Sequence, residues 1–251
     1  DMTTGKGIYG ADVILPGMKT AVIARSPVYR GTPGSVDDSA AKKISGVRGT
    51  VEIPTPELPI AVKPLGGIAV IADNTHAAIE GRKALKIKWN KGGNEEHNSS
   101  SYEGALRTAA RNPGTVLRNR GNVDAYFNRS GRIFEREYYV PYFIHTPMEP
   151  PAAVADFKNG KCEIWACTQH PLWIRDTAAE VLGIDKENIQ VHVTLLGAGF
   201  GRKSKADFAV EAAYLSKETG HPVRVIWTRE DEIQNGYYHA ASAQHIKAGV
   251  I

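Results

Sequence analysis

An α+β fold is predicted for this chain. Three observations carry that reading: short apolar strand patterns alternate with helical ones, the helix ends carry recognisable start and stop residues, and a glycine-rich bend, GAGFGRKS at 197–204, joins a strand pattern to a helix pattern. The 251 residues are 42 % hydrophobic and 23 % charged, enough for one large core or two smaller ones. No run approaches the roughly 20 apolar residues that span a bilayer. The opening DMTTGKGIYG has no charged segment leading into an apolar one, so no export signal is visible, and cytoplasm and periplasm both stay open. The excess of four positive charges is spread along the chain without a basic block, which suits a solvated surface and not a nucleic-acid partner.

The elements read in order as follows. GIYGADVILPG and MKTAVIARSPV alternate in strand fashion, and SVDDSAAKKISGV reads as a short helix. After the proline-rich IPTPELPIAVKP comes GGIAVIADNTHAAIEGRKALKIKWN: a strand, a cap at Asn74 or Thr75, a helix and a second strand, a βαβ element closing a small domain near Trp89. Residues 90–122 are polar and turn-rich with one short helix around 102–110, a linker or surface excursion. From Val123 the strands lengthen, GRIFEREYYVP among them, followed by the proline-punctuated FIHTPMEPPAAVADF. The expected division is therefore 1–90, 91–122 and 123–251. The chain starts on Asp1 without an initiator Met and ends on KAGVI within a strand pattern, so a piece of a longer polypeptide is expected.

The last ninety residues are the most informative. CEIWACTQ, PLWIRDTAAEVLG, NIQVHVTLL, KADFAVEAAYLSKETG and PVRVIWTR read as β-α-β-α-β. Pro171 suits a first helical turn, Gly183 and then Gly220 with Pro222 suit helix ends, and Ser204 with Asp207 has the spacing of a capping box. In the middle strand Ile189, Val191, Val193 and Leu195 share one face, leaving His192 on the polar one. Cys162 and Cys167 fall on opposite faces if KCEIWAC is one strand, so two separate core thiols are expected; without a CxxC pair or a histidine cluster, no protein-ligated zinc is.

GAGFGRKS looks like a phosphate cradle, but Arg202 stands where both a Walker A loop and a dinucleotide fingerprint need glycine. An ATP- or NAD-binding reading is weak. Three glycines still permit a tight bend with backbone N–H groups facing outward, suited to an oxygen-rich ligand; a plain βα turn is the open alternative. Ser204 reads as a helix cap and not a catalytic hydroxyl. If the three strands run parallel, both βα bends leave at one carboxyl edge, bringing Gln169 and Gly199, Phe200 and Gly201 to a common crevice.

TQHPLWIRDTAAEVLGI and GAGFGRKSKADFAVEAAYLSKETGHPVRVIWTREDEI, with HTPMEPPAAVADF, resemble the molybdenum-cofactor-binding subunits of the xanthine dehydrogenase and aldehyde oxidase family, nearest to the bacterial isoquinoline 1-oxidoreductase and aldehyde dehydrogenase branch. The resemblance covers nearly the whole chain. It implies an α/β hammerhead domain over 1–90 and the N-terminal part of a molybdopterin-binding α+β domain over 123–251. It places Gln169 near the oxygen ligands of molybdenum, Gly199, Phe200 and Gly201 against the cofactor, and Ser204 and Glu149 at the substrate pocket. At Ser204 xanthine-oxidising members carry a glutamate, which argues against a purine substrate. Glu149 has a second reading, as a structural carboxylate capping the proline-rich turn.

The implied reaction is hydroxylation of an aldehyde or N-heterocycle with oxygen from water, by a pterin-held molybdenum in the cytosine dinucleotide form. Electrons would pass through a small [2Fe–2S] subunit and in some assemblies a cytochrome. The family's glutamate base has no match here and is expected beyond Ile251, so these residues alone are expected to be inactive and cofactor-free. The competing reading is a non-catalytic binding module for an iron–sulfur partner.

Overall fold

The computed structural model describes residues 2–250. In chain order the first elements are β1 (Lys19–Ala24), β2 (Thr32–Asp37), β3 (Val47–Ile53), β4 (Gly67–Ala72), α1 (Thr75–Ala84), β5 (Lys86–Asn90), α2 (Ser99–Arg111), α3 (Val123–Phe127) and β6 (Arg132–Val140). There follow β7 (Ala152–Lys158), β8 (Lys161–Ala166), α4 (Pro171–Leu182), β9 (Ile189–Val193), α5 (Asp207–Thr219), β10 (Val223–Ile226), α6 (Arg229–Asn235) and β11 (Ser242–Val250). They form two compact units, one comprising the residues up to Glu95 with His145–Tyr237, the other Glu96–Ile144 with the segment from Tyr238 on. Among the described residues no helix is long and apolar enough to cross a membrane.

The first unit is built on a seven-stranded sheet in the order β3-β4-β1-β10-β7-β8-β9. β8 pairs parallel to β9 and β1 parallel to β10, while the remaining neighbours are antiparallel. The run β8-α4-β9-α5-β10 is thus present and its three strands share one direction, but β7 lies antiparallel between β10 and β8. The reason is local: Asn159 and Gly160, at φ 52° and 74°, close a two-residue turn that folds β7 directly onto β8.

Helix α5 carries the core. Phe208, Ala209, Val210, Ala212, Ala213 and Leu215 are all buried, and the alanines let the helix lie close against β7 and β10. Ile164 and Ile174 join the same interior, each such side chain contributing about 1.5–3 kcal/mol by leaving water. On the other face of the sheet, α1 sets Ala77 and Ala78 against Val22 and Ala72. Asn74 is the cap of α1, accepting from the Ala77 amide at 2.9 Å. Gly183 and Gly220 end α4 and α5 in the left-handed conformation, at φ 65° and 67°, and Pro171 opens α4.

Four local expectations are corrected. GIYGADVILPG holds a short 3-10 turn at Gly10–Asp12 and no strand, because Gly10 packs against the Ala152 carbonyl and the Cys167 sulfur. SVDDSAAKKISGV divides between the end of β2 and a 3-10 turn at Ala41–Lys43. β5 does not share a sheet with β4 but pairs with β2, since its Lys86, Lys88 and Asn90 face is solvated and cannot enter the buried sheet. Ser204 does not cap α5: it belongs to a separate 3-10 turn, Arg202–Ser204, and the cap position is Ala206.

In the second unit β6 and β11 pair antiparallel, Tyr138 opposite Gln244 and Phe134 opposite Ala248. The helix expected around 102–110 is present as α2, opened by Asn98. On one face of the ribbon Arg107 and Arg111 of α2 meet Glu137, and Arg107 lies over the Tyr139 ring. The opposite face carries Phe134, Tyr138, Val140, Ile246 and Val250, all exposed.

Candidate functional site

Because β8 and β9 are parallel, the segments that follow them emerge at the same edge of the sheet. After β8 the chain runs through Cys167, Thr168, Gln169 and His170 into α4; after β9 it enters the glycine bend. Hydrogen bonds bind the two segments together. The Thr194 amide donates to the Ala166 carbonyl at 3.1 Å, and the Lys203 carbonyl accepts from the Gln169 amide at 2.9 Å and from Thr168 Oγ1 at 3.1 Å. The Gly201 amide then donates to Gln169 Oε1 at 3.0 Å. The side-chain amide and the glycine bend that sequence placed at one edge are thus joined directly.

The glycines are required by space. A Cβ at Gly199 would sit 2.4 Å from Gln169 Oε1, and one at Gly197 would sit 2.6 Å from the Glu149 Cβ. Between and after them the backbone is left-handed, at Ala198, Phe200 and Gly201, with φ of 68°, 52° and 97°. For the two residues with side chains this costs about 1–3 kcal/mol each, and such a conformation persists only where its surroundings enforce it. The bend thereby lifts the Phe200 ring into solvent at 71 % exposure. The amides of Gly199 and Phe200 have no hydrogen-bond partner among the described residues, nor does Gln169 Nε2.

The two cations that make GAGFGRKS look like a phosphate cradle point the other way. Arg202 and Lys203 are fully buried. Arg202 donates from Nη1 and Nη2 to the carboxylate of Asp207, at 2.9 and 2.8 Å. Lys203 Nζ donates to Glu149 Oε2 at 2.6 Å. Glu149 also accepts from the Gly10 amide on Oε1 and from the Gly197 amide on Oε2, each at 2.9 Å, so its oxygens clasp three segments beneath the bend. The Ser204 hydroxyl donates to the Gly201 carbonyl at 2.6 Å. A nucleotide phosphate would find neither cation at the surface of this bend.

Below the site the interior is charged. Arg25 Nη2 forks onto both oxygens of Glu211, at 2.7 and 2.8 Å, and Trp227 Nε1 donates to the same carboxylate at 2.8 Å. Burial pushes Glu211 and Glu232 above the ordinary carboxylate range despite the opposing pull of Arg25 and Arg202 respectively. Burial likewise drives Cys162 up to about 12 and raises Cys167, so both are protonated thiols at neutral pH and not nucleophiles. His192 stacks on Trp165 with its Nε2 3.0 Å from Glu163, on the polar side of the sheet where its position in β9 put it. No three His, Cys, Asp or Glu side chains converge as a metal-ligand set among the described residues.

Chemically, this edge is a place to hold a ligand. It offers one side-chain N–H₂, two backbone N–H groups without a partner among the described residues and an exposed aromatic ring, donors suited to oxygen atoms next to a flat apolar wall. Lys203, Arg202 and Thr168 are the members that sequence reasoning missed. Asp207, five residues beyond Arg202 at the start of a helix, was the available signal that the arginine had an internal partner.

Residues 108–251 match the family described as molybdopterin cofactor-binding domain. Over 98 % of its length the chain is 29 % identical to the isoquinoline 1-oxidoreductase subunit beta of Brevundimonas diminuta, covering 32 % of that protein. It is 31 % identical, over 98 % of the chain and 32 % of the relative, to a membrane-bound aldehyde dehydrogenase (pyrroloquinoline-quinone) of Gluconacetobacter polyoxogenes. Its fold matches quinoline 2-oxidoreductase from Pseudomonas putida 86 with a TM-score of 0.73 at 21 % identity, over 99 % of this chain and 36 % of that one. The aldehyde oxidoreductase from Desulfovibrio gigas gives a TM-score of 0.71 at 20 % identity, over 98 % and 31 %. The chain therefore spans about a third of the length of the curated relatives it matches.

Proposed function

The chain belongs to the molybdopterin cofactor-binding domain family, and from that premise we propose that its glycine-bend edge forms one wall of a molybdenum-cofactor site in a longer oxidoreductase. The observation that carries the reading is the 3.0 Å bond from the Gly201 amide to Gln169 Oε1, which fixes the two segments as one surface. The residues fit such a group. A side chain at Gly199 would displace Gln169, and the donors left open on Gln169, Gly199 and Phe200 suit oxygen ligands.

When bound, the molybdopterin group supplies a two-electron redox centre for hydroxylating an aldehyde or N-heterocycle carbon with oxygen from water. Within that reaction Gln169 Nε2 holds an oxygen of the cofactor, the amides of Gly199 and Phe200 line its approach, and the Phe200 ring excludes water from one side. Ser204 and Glu149 are proposed at the substrate side. Glu149 acts there through the Gly197 and Lys203 groups it grips. We further propose a hammerhead domain over 1–90, a linker over 91–122 and the start of the cofactor domain over 123–251. The cytosine dinucleotide form of the cofactor, a [2Fe–2S] partner subunit and a cytochrome acceptor complete the reading for the whole protein.

Metal and pterin analysis of the full-length gene product tests it: about one molybdenum per polypeptide is expected, and an active full-length protein without molybdenum overturns it. In the same protein Gln169→Ala is expected to lower turnover roughly 10- to 100-fold with the fold intact, as for other groups that orient a metal's ligands. Wild-type kinetics in that variant would remove Gln169 from the site.

A further inference from the structure

After Trp227, Arg202 is the largest side chain less than 2 % exposed among the described residues. Its position is specific. It directly follows Gly201, the last left-handed residue of the bend, and its own amide donates back to the Gly199 carbonyl at 2.9 Å. The guanidinium forks onto Asp207 at the first turn of α5, and its Nε lies 3.4 Å from Glu232 Oε2 of α6. Its plane lies over the rings of Trp227 and Tyr237, 4.7 and 5.3 Å from their centroids. One side chain thereby connects the bend to two helices and to the end of β10.

A buried guanidinium is tolerated only when charges and hydrogen bonds replace its water, and removing one partner strands the other. Asp207 supplies the fork, whereas Glu232 only lies beside Nε, since its oxygens accept no hydrogen bond among the described residues. The strained backbone at Ala198, Phe200 and Gly201 requires such an outside constraint. On the amino-terminal side the constraint is Glu149 on Gly197; on the carboxy-terminal side Arg202 comes first after the bend, followed by Lys203 on the same Glu149.

We infer that Arg202 is a positioning residue: its fork onto Asp207 clamps residues 198–201 so that the bend keeps its bond to Gln169 and presents that edge to the ligand. Its effect on a cofactor rests on the molybdopterin reading above; the clamp itself does not. Lysine would keep the charge and lose the planar fork, so it is not an equivalent replacement.

The full-length protein carrying Arg202→Lys, and separately Asp207→Asn, is compared with wild type by hydrogen exchange and by molybdenum per polypeptide. Exchange at the Gly201 and Arg202 amides, which bond to Gln169 and to the Gly199 carbonyl, is expected to accelerate at least tenfold in both variants. Exchange in α4 and in the rest of α5 is expected to stay as in wild type, and bound molybdenum to fall at least threefold. Unchanged exchange at Gly201 and Arg202 overturns the clamp, and acceleration throughout α5 overturns it equally by making Arg202 a residue of the general fold. Local acceleration with undiminished molybdenum overturns the link to the ligand. If wild type itself holds no molybdenum, the proposed function fails while the exchange comparison still decides the clamp.

Discussion

The two units of this molecule use their residues in opposite ways. In the first, α5 is buried along most of its length and two of its three carboxylates, Asp207 and Glu211, are inside. In the second, no residue of α2, α3, β6 or β11 is buried. A side chain packed on every side is fixed in position by its neighbours, whereas a two-stranded ribbon has only its backbone ladder and one covered face to define it. The candidate site lies in the first unit, where Gln169 and the glycine bend rest on packed and charged neighbours. Precise placement of a polar group is a property of the interior beneath it.

That contrast can be broken or sharpened by substitution. The largest effect is expected at Phe208, fully buried in α5: Phe208→Ala should cost about 3–5 kcal/mol, read from urea unfolding. A loss below about 1 kcal/mol would show that α5 is not the centre of the core. A smaller effect follows from the buried charges. Burial raises Glu232 against the pull of Arg202, with Asp207 opposing that pull and Arg229 and Lys203 assisting it.

The folded protein therefore keeps a proton on Glu232 that the unfolded chain has already released. Stability from this site falls as pH rises from the ordinary glutamate value through the raised one. Glu232→Gln cannot ionise, so its melting temperature should gain on wild type as pH is raised from the ordinary glutamate value of 4.5 toward neutrality. A difference that stays flat over that range refutes the assignment. The smallest effect is expected in the second unit, where Tyr138 lies on the uncovered face of the ribbon. Tyr138→Ser in the 251-residue chain should shift stability by no more than about 0.5 kcal/mol. A larger loss would show that this face is packed after all.

What could be read from the sequence was local. Pro171, Gly183 and Gly220 marked helix ends because their backbone chemistry admits few alternatives, and the glycines of 197–201 marked a bend for the same reason. The meeting of Gln169 with Gly201 also followed, since parallel strands must release their following segments at one edge. What escaped was long-range. β1 pairs with β10 across some two hundred residues, Thr20 opposite Arg224, and no local pattern announces such a partner. The inward turn of Arg202 and Lys203 escaped for a related reason: a cation in a glycine loop reads as solvent-facing until its carboxylates, supplied by Asp207 and by Glu149 more than fifty residues upstream, are seen.

Gly199 and Phe200 are adjacent yet have opposite freedoms. The first has no room for even a methyl group, while the second projects a whole ring into open space. Anyone reshaping this edge for a different molecule would therefore have to leave the one untouched and vary the other, treating position 200 as the adjustable jaw of a vice whose fixed jaw is position 199.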